Sequence, residues 1–322
     1  MHIPDGYISP RTCVVFYAAM TPVWYLAARR AERTLKLKEL PLLSLGAAFA
    51  FVIMMFNIPV PGGSSGHMVG AVVVAVALGP WAGVVAMTIA LALQAFLFGD
   101  GGVTALGANA FNMAFLMSFA GYYCFRLCTV GHPGPARRFA AAAAGGYVAV
   151  NVAALAVGLE LGIQPLIAHA AGGRPLYAPY PLSIAVPAMA LPHLLLFGPV
   201  EALGTGLVVS YLYRTGVVGA GDGTRGGASG RLRPLRAALV VLAVLAPVGL
   251  LAPGTPWGEW RASELAGLVG YVPGGMEGLS GAWRGVLPAY GGGSVFLYII
   301  SALGGSAAVV FMVFLWGRLW RH

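Results

Sequence analysis

Eight stretches of this chain, near residues 12–28, 41–58, 81–98, 105–127, 138–159, 184–212, 236–252 and 293–317, stay predominantly apolar for at least 17 residues each. A bilayer core about 30 Å thick needs helices of about that length. In lipid every backbone polar group must be satisfied internally, so runs this long read as membrane helices. The charge content agrees: 9% of residues are charged, against about 25% in an ordinary soluble domain. With 19 basic and 10 acidic residues the net charge is +9, too sparse a set to coat a soluble surface. A cytosolic enzyme, a disordered tail and a nucleic-acid binder are excluded together. The 47 glycines and 22 prolines lie among apolar residues and read as kinked, closely packed helices. The expected fold class is an all-α polytopic membrane protein.

The only lysines are Lys36 and Lys38, and neither follows a glycine loop, so the chain has no Walker phosphate loop and binds no nucleotide in that manner. There is no HExxH zinc-protease signature. Cys13, Cys124 and Cys128 sit in apolar stretches and make no disulfide framework. Residues 1–10 lack the basic region of a signal peptide.

Basic residues at span ends set the expected orientation. Arg29, Arg30, Arg33, Lys36 and Lys38 follow the first span; Arg126, Arg137 and Arg138 bracket a short loop; a third cluster runs from Arg214 to Arg236; Arg318 and Arg321 close the chain. Placing these inside puts 15 of 19 basic residues in the cytoplasm and leaves Arg11, Arg174, Arg261 and Arg284 outside. The N-terminus is then extracytoplasmic and the C-terminus cytoplasmic. Parity requires the chain between the second span and the span at 105–127 to enter and leave again. Residues 68–78 and 81–98 can do this by turning at Gly79-Pro80, provided that 59–66 dips below the outer surface. Irregular backbone at that depth is tolerated only against protein or a cavity, which makes 59–67 a functional loop. Three parts are expected: a seven-helix domain over 1–214, a Gly-rich basic linker over 215–235, and a helical pair over 236–322 around an outer loop that carries Glu259, Glu264 and Glu277.

The chain begins Met1-His2-Ile3-Pro4-Asp5-Gly6. Methionine aminopeptidases need a small second residue, so Met1 is expected to keep a free amine. That amine, the His2 amide and the His2 imidazole close a five-membered and a six-membered chelate ring around one metal ion. A nitrogen set of this kind favours square-planar Ni(II) or Cu(II), and an imidazole-rich site also suits cobalt. The Pro4-Asp5-Gly6 turn can fold the terminus back into the bundle. His67, after Gly62-Gly63-Ser64-Ser65-Gly66, lies on the same side and can fill the open corner of the square. Polar groups at membrane depth tend to be functional.

The N-terminal motif and Gly62 to Gly70 resemble the cobalt/nickel substrate-binding (S) component, the M subunit (CbiM/NikM), of energy-coupling-factor transporters. The stretch from Gln94 to Met113 is also similar, and the resemblance covers residues 1 to about 214. It implies a metal bound by the Met1 amine, the His2 amide and imidazole, and His67. It also implies a transmembrane T subunit and two ATPase subunits as partners, with ATP hydrolysed there and not by this chain. The C-terminal pair resembles the two-helix N subunit fused to M, although it carries Gly274-Gly275-Met276-Glu277-Gly278 where related subunits have a Pro-Asp-Gly-type motif. The expected function is capture of a divalent transition metal, nickel ahead of cobalt, at the outer face of a bacterial inner membrane for ATP-driven uptake. The C-terminal pair is expected to assist loading or release.

Asp5, Ser65, Asn57, Asp100, Asn109 and Asn112 are candidates for supporting the ligands from behind; helix-terminal turns and interhelical hydrogen bonds are the alternatives for Asp100 and the asparagines. His193 and Glu201 lie two helical turns apart on one face and suit a metal or proton path, a contact with the T subunit, or a satisfied polar pair. His132, His169 and His322 have no visible partner in the sequence. The methionines, Met20, Met54 and Met55 among them, read as gap fillers. Two other functions fit parts of the pattern. A rhomboid-like intramembrane serine protease would use Ser65 with His193 as base, and an S component for a non-metal substrate would not need the free amine.

Overall fold

In a computed structural model the described residues are 1–60, 64–131, 133–218, 228–252, 254–255 and 258–319. Pro61, Gly62, Gly63, His132, His322, Arg321 and the linker stretch 219–227 lie outside them. Among the described residues, nine helices build the body and the C-terminal pair, in order: α1 (Pro10–Thr34), α2 (Leu40–Ile53), α3 (Ala71–Leu78), α4 (Pro80–Phe98), α5 (106–128), α6 (Pro135–Gly162), α7 (Leu182–Arg214), α8 (Ala228–Leu245) and α9 (Val295–Leu319). The expected all-α class holds, with seven helices followed by a pair. Among the described residues, five apolar stretches are long enough to cross a bilayer: Pro80–Phe98, Pro135–Ile167, Leu182–Arg214, Gly230–Leu251 and Val295–Leu319.

Local chemistry explains the helix ends. Ser9 caps α1 by accepting from the Thr12 amide at 3.4 Å, and Pro10 occupies the first turn, where its missing N–H costs nothing. Gly79 takes φ +96°, a region open to glycine, and Pro80 starts α4 immediately afterwards. The reversal at Gly79-Pro80 is therefore the one the sequence demanded. Between α2 and α3 the expected irregular loop is a short antiparallel ladder, Ile58–Val60 against Ser64–Gly66, with Pro59 opposite Ser65. Pairing the two strands satisfies backbone groups that a bare loop would leave open.

Small residues let the helices approach closely. A side chain at Gly121 of α5 would run into Val72 of α3, and one at Gly145 of α6 would meet the Gly121 carbonyl at 2.8 Å. The C-terminal pair docks on α2 in the same way: Gly305 faces the Phe51 ring, Gly317 faces Leu40, and Gly249 lies over the backbone of Met55 and Asn57. Three helices contain a π-helical turn, at Gln94–Phe98, Ala110–Leu116 and His193–Phe197. Such turns re-aim side chains and concentrate at functional sites.

Candidate metal centre

The N-terminal segment lies inside the protein, between the helical body and the loop that joins the two helices of the C-terminal pair. Gly6 adopts φ +87° in the turn that returns Tyr7 N–H to the Pro4 carbonyl at 3.4 Å. On the body side, Asn109 clamps Ile3 from both ends: Ile3 N–H donates to Asn109 Oδ1 at 2.8 Å, and Asn109 Nδ2 donates to the Ile3 carbonyl at 3.0 Å. Asp5 accepts from the amides of Val103 and Thr104 at 3.2 and 2.8 Å. On the loop side, Tyr7 Oη donates to the Trp260 carbonyl at 2.7 Å, and a side chain at Gly6 would meet the Met276 carbonyl.

These contacts deliver Met1 and His2 into a cavity of about 300 Å3, which Ser65, Gly66, His67 and Asn57 also line. The His2 and His67 rings stand 5.1 Å apart at 36°. The Met1 amine lies 3.8 Å from Glu259 Oε1. His2 sits in a closed ring of polar contacts: Nε2 is 3.3 Å from Gln94 Oε1, Gln94 Nε2 donates to Tyr290 Oη at 3.2 Å, Tyr290 Oη donates to Asp100 Oδ2, and Asp100 Oδ1 is 3.3 Å from His2 Nδ1. His67 Nδ1 is 3.1 Å from the Met68 carbonyl, while its Nε2 is buried with no hydrogen-bond partner.

Electrostatics leave both imidazoles poised as neutral donors. Burial lowers the His2 pKa below 6.5, with Asp100 pulling it back up and the Met1 amine pushing it further down. Burial, then the Met1 amine and His2, hold His67 well below the usual histidine range. Burial raises Glu259 to about 7, opposed by the Met1 amine and aided by Asp100. Neutral imidazole is the form that ligates a metal. Among the described residues no three His, Cys, Asp or Glu side chains converge into a cage.

Met1, His2, His67, Ser65, Asn57 and Asp100 thus share one cavity, and Asp5 and Asn109 hold the segment that enters it. Asn112 stands apart: its Nδ2 donates to Glu160 Oε2 at 2.8 Å between α5 and α6. His193 Nδ1 bonds the Met189 carbonyl at 2.7 Å within its own helix, and no hydrogen bond joins it to Ser65 among the described residues. Glu201 is fully buried and accepts from the amides of Val69 and Gly70 at 2.7 and 3.0 Å. It therefore anchors the segment just after His67, a role the two-turn spacing to His193 did not suggest. Gln94, Glu259, Tyr290 and Tyr298 were not singled out in the sequence for this cavity. Gln94 opens the third family-like stretch, but no short-range pattern marks the others.

Fold and cavity together define a multi-pass helical membrane protein with a buried, nitrogen-rich pocket near one face. Residues 2–217 match the CbiM family, the cobalt uptake substrate-specific transmembrane region. The chain is 45% identical over 330 residues to a fused nickel transport protein, NikMN, of Rhodobacter capsulatus, covering 96% of this chain and 95% of that one. Two solved structures are also similar. A transition metal transporter shares 49% identity, covers 72% of this chain and all of its own, and superposes with a TM-score of 0.64. A truncated transition metal transporter shares 52% identity over 66% of this chain and 99% of its own, with a TM-score of 0.63. The chain belongs to the CbiM/NikM family and carries an N-type segment fused at its C-terminal end.

Proposed function

We propose that this chain is the substrate-specific subunit of an energy-coupling-factor importer and captures a divalent transition metal at the outer membrane face. Nickel is the favoured cargo and cobalt the next. The Met1 amine, the His2 amide nitrogen, the His2 imidazole and the His67 imidazole form the donor set, a planar nitrogen square suited to nickel. The observation that carries the reading is the meeting of Met1, His2 and His67 in one cavity, where His67 Nε2 is buried and unpartnered. A buried orphan nitrogen is costly unless a ligand engages it. The relatives' nickel and transition-metal assignments support the same cargo.

Metal enters from outside and loses water as the nitrogens replace it. The ammonium and the amide shed their protons on binding. Glu259 and Asp100 then offer negative charge beside the bound cation. ATP is hydrolysed by two separate ATPase subunits, and a transmembrane T subunit couples that work to inward release, with this bacterial inner-membrane chain acting as a carrier and not an enzyme. The functional division falls at 1–214, 215–235 and 236–322, and the last part covers the cavity through Glu259 and Tyr290. Calorimetric titration with nickel tests the reading. The wild-type chain binds one ion per molecule, and His67→Ala abolishes that binding while preserving the helical circular dichroism. Equal nickel affinity in both proteins would overturn the reading.

A further inference from the structure

A second cavity, of about 360 Å3, lies among α2, α3, α7 and α8 at the end of the bundle that bears the basic clusters. Its lining is apolar apart from the Tyr211 hydroxyl; Leu42 and Phe49 of α2, Val73 of α3 and Leu239 of α8 form its walls. Leu207, Tyr211, Pro234 and Ala238, all exposed, frame a mouth that opens sideways between α7 and α8. In a membrane-spanning chain that mouth faces lipid and not water.

The apolar cavity continues into a small polar one through the shared residues Leu42, Ala77 and Leu78. Lys38, Glu39 and Arg231 line this polar end. The Arg231 guanidinium donates to the Gly216 carbonyl at 3.0 Å, which ties α8 to the end of α7. Glu39 is turned toward its own backbone, accepting from the Lys36 amide at 2.9 Å. Arg233 and Arg236 lie within the next turns of α8, and Arg214 ends α7. A long apolar slot with a basic end matches a molecule with a hydrocarbon tail and an anionic head. Basic pockets between membrane helices bind anionic headgroups in this manner.

We propose that one anionic phospholipid occupies this composite pocket, with an acyl chain between α7 and α8 and its phosphate against Lys38 and Arg231. Entry from the bilayer selects a lipid over a soluble phosphate, and the lipid fills the seam between the seven-helix body and the fused pair. The pocket is separate from the Met1 cavity and does not depend on which cargo that cavity takes.

Native mass spectrometry of the full chain, purified in a lipid-free detergent and supplied with phosphatidylglycerol or phosphatidylcholine, tests this. Wild type retains phosphatidylglycerol at least five-fold more than phosphatidylcholine. The double variant Lys38→Gln, Arg231→Gln loses that preference, and Ala238→Trp, which plugs the mouth, loses retention of both lipids. Helical circular dichroism and thermal midpoint stay at the wild-type level in both variants and report an intact fold. Equal retention of the two lipids by wild type, or a preference that survives the double variant, would overturn the proposal. So would displacement of phosphatidylglycerol by soluble glycerol 3-phosphate, or a cross-link from position 238 to another subunit in the assembled transporter in place of lipid.

Discussion

At the scale of single residues, the cavity is shaped by groups from opposite ends of the chain. Tyr290 is the clearest case. Its backbone sits at φ +55° beside Ala289 at +49°, a left-handed conformation that costs a non-glycine residue about 1–2 kcal/mol. Strain of this kind persists where surrounding contacts over-determine it and clusters at ligand sites. Here the contacts are Asp100, Gln94 and the Phe98 ring, stacked at 4.7 Å. Asp100 faces His2 Nδ1, the atom that the six-membered chelate ring requires. Gln94 Oε1 faces Nε2, the ring nitrogen left over once Nδ1 ligates, and removing such a partner of a ligating imidazole costs about 10–100-fold in metal affinity, so Gln94→Ala is expected to weaken nickel binding by that factor in calorimetry. An unchanged affinity would remove Gln94 from the site. Met1 and His2 were legible in the sequence because chelate ring size is local chemistry, fixed by neighbouring atoms. Glu259 and Tyr290 were not, because their contacts with Met1 and Asp100 close only when the whole chain has folded.

Among the elements, the segment bearing His67 is held from two directions. A side chain at Gly66 would strike the Phe197 ring from the π-helical turn of α7, and Glu201 on the same helix accepts from the Val69 and Gly70 amides. Gly70, at φ +77°, then opens α3. A hydrogen bond of this kind contributes about 0.5–1.5 kcal/mol, and a buried donor left unpaired costs about 1–3 kcal/mol. Glu201→Gln keeps the shape but turns one of the two acceptor oxygens into an NH2 donor, so it is expected to lower thermal stability in detergent by an amount on the order of 2 kcal/mol and to weaken nickel binding by loosening His67. Lowered stability with full nickel affinity would show that the clamp supports the fold alone. Five of the eight expected spans were legible because bilayer thickness imposes a length on apolar runs, whereas the runs at 12–28, 41–58 and 105–127 form helices that do not combine that length with that hydropathy. The Gly79-Pro80 reversal was legible because both residues have narrow backbone preferences. The ladder at 58–66 was not, since three residues per strand carry too little alternation to separate strand from loop. Nor were the π-helical turns, which leave hydrophobic periodicity almost unchanged.

For the whole molecule, the N-terminal segment is packed on one side by the helical body and on the other by the fused pair. The loop that joins the pair also closes the end of α4: Trp283 Nε1 donates to the Phe96 carbonyl at 2.9 Å, and the amides of Val286 and Leu287 donate to the Leu97 carbonyl at 2.7 and 2.8 Å. The candidate site and the docking of the pair thereby share one region. The pH dependence has a definite sign. Burial depresses the pKa of His2 and His67, so both rings are neutral at pH 7 and become protonated only as pH falls through those lowered values. The ammonium and the amide must still lose protons. Nickel binding at pH 7 is therefore expected to release protons, and affinity to fall as pH drops; binding at pH 7 with no proton release would exclude amine and amide ligation. The central claim, that the main-chain nitrogens at the start of the chain hold the cargo, is tested most directly by adding one residue before Met1 and titrating both proteins with nickel and cobalt. The extension leaves every side chain in place but moves the amine out of the chelate. Binding lost only in the extended chain is the predicted result, and equal binding by both would contradict the claim.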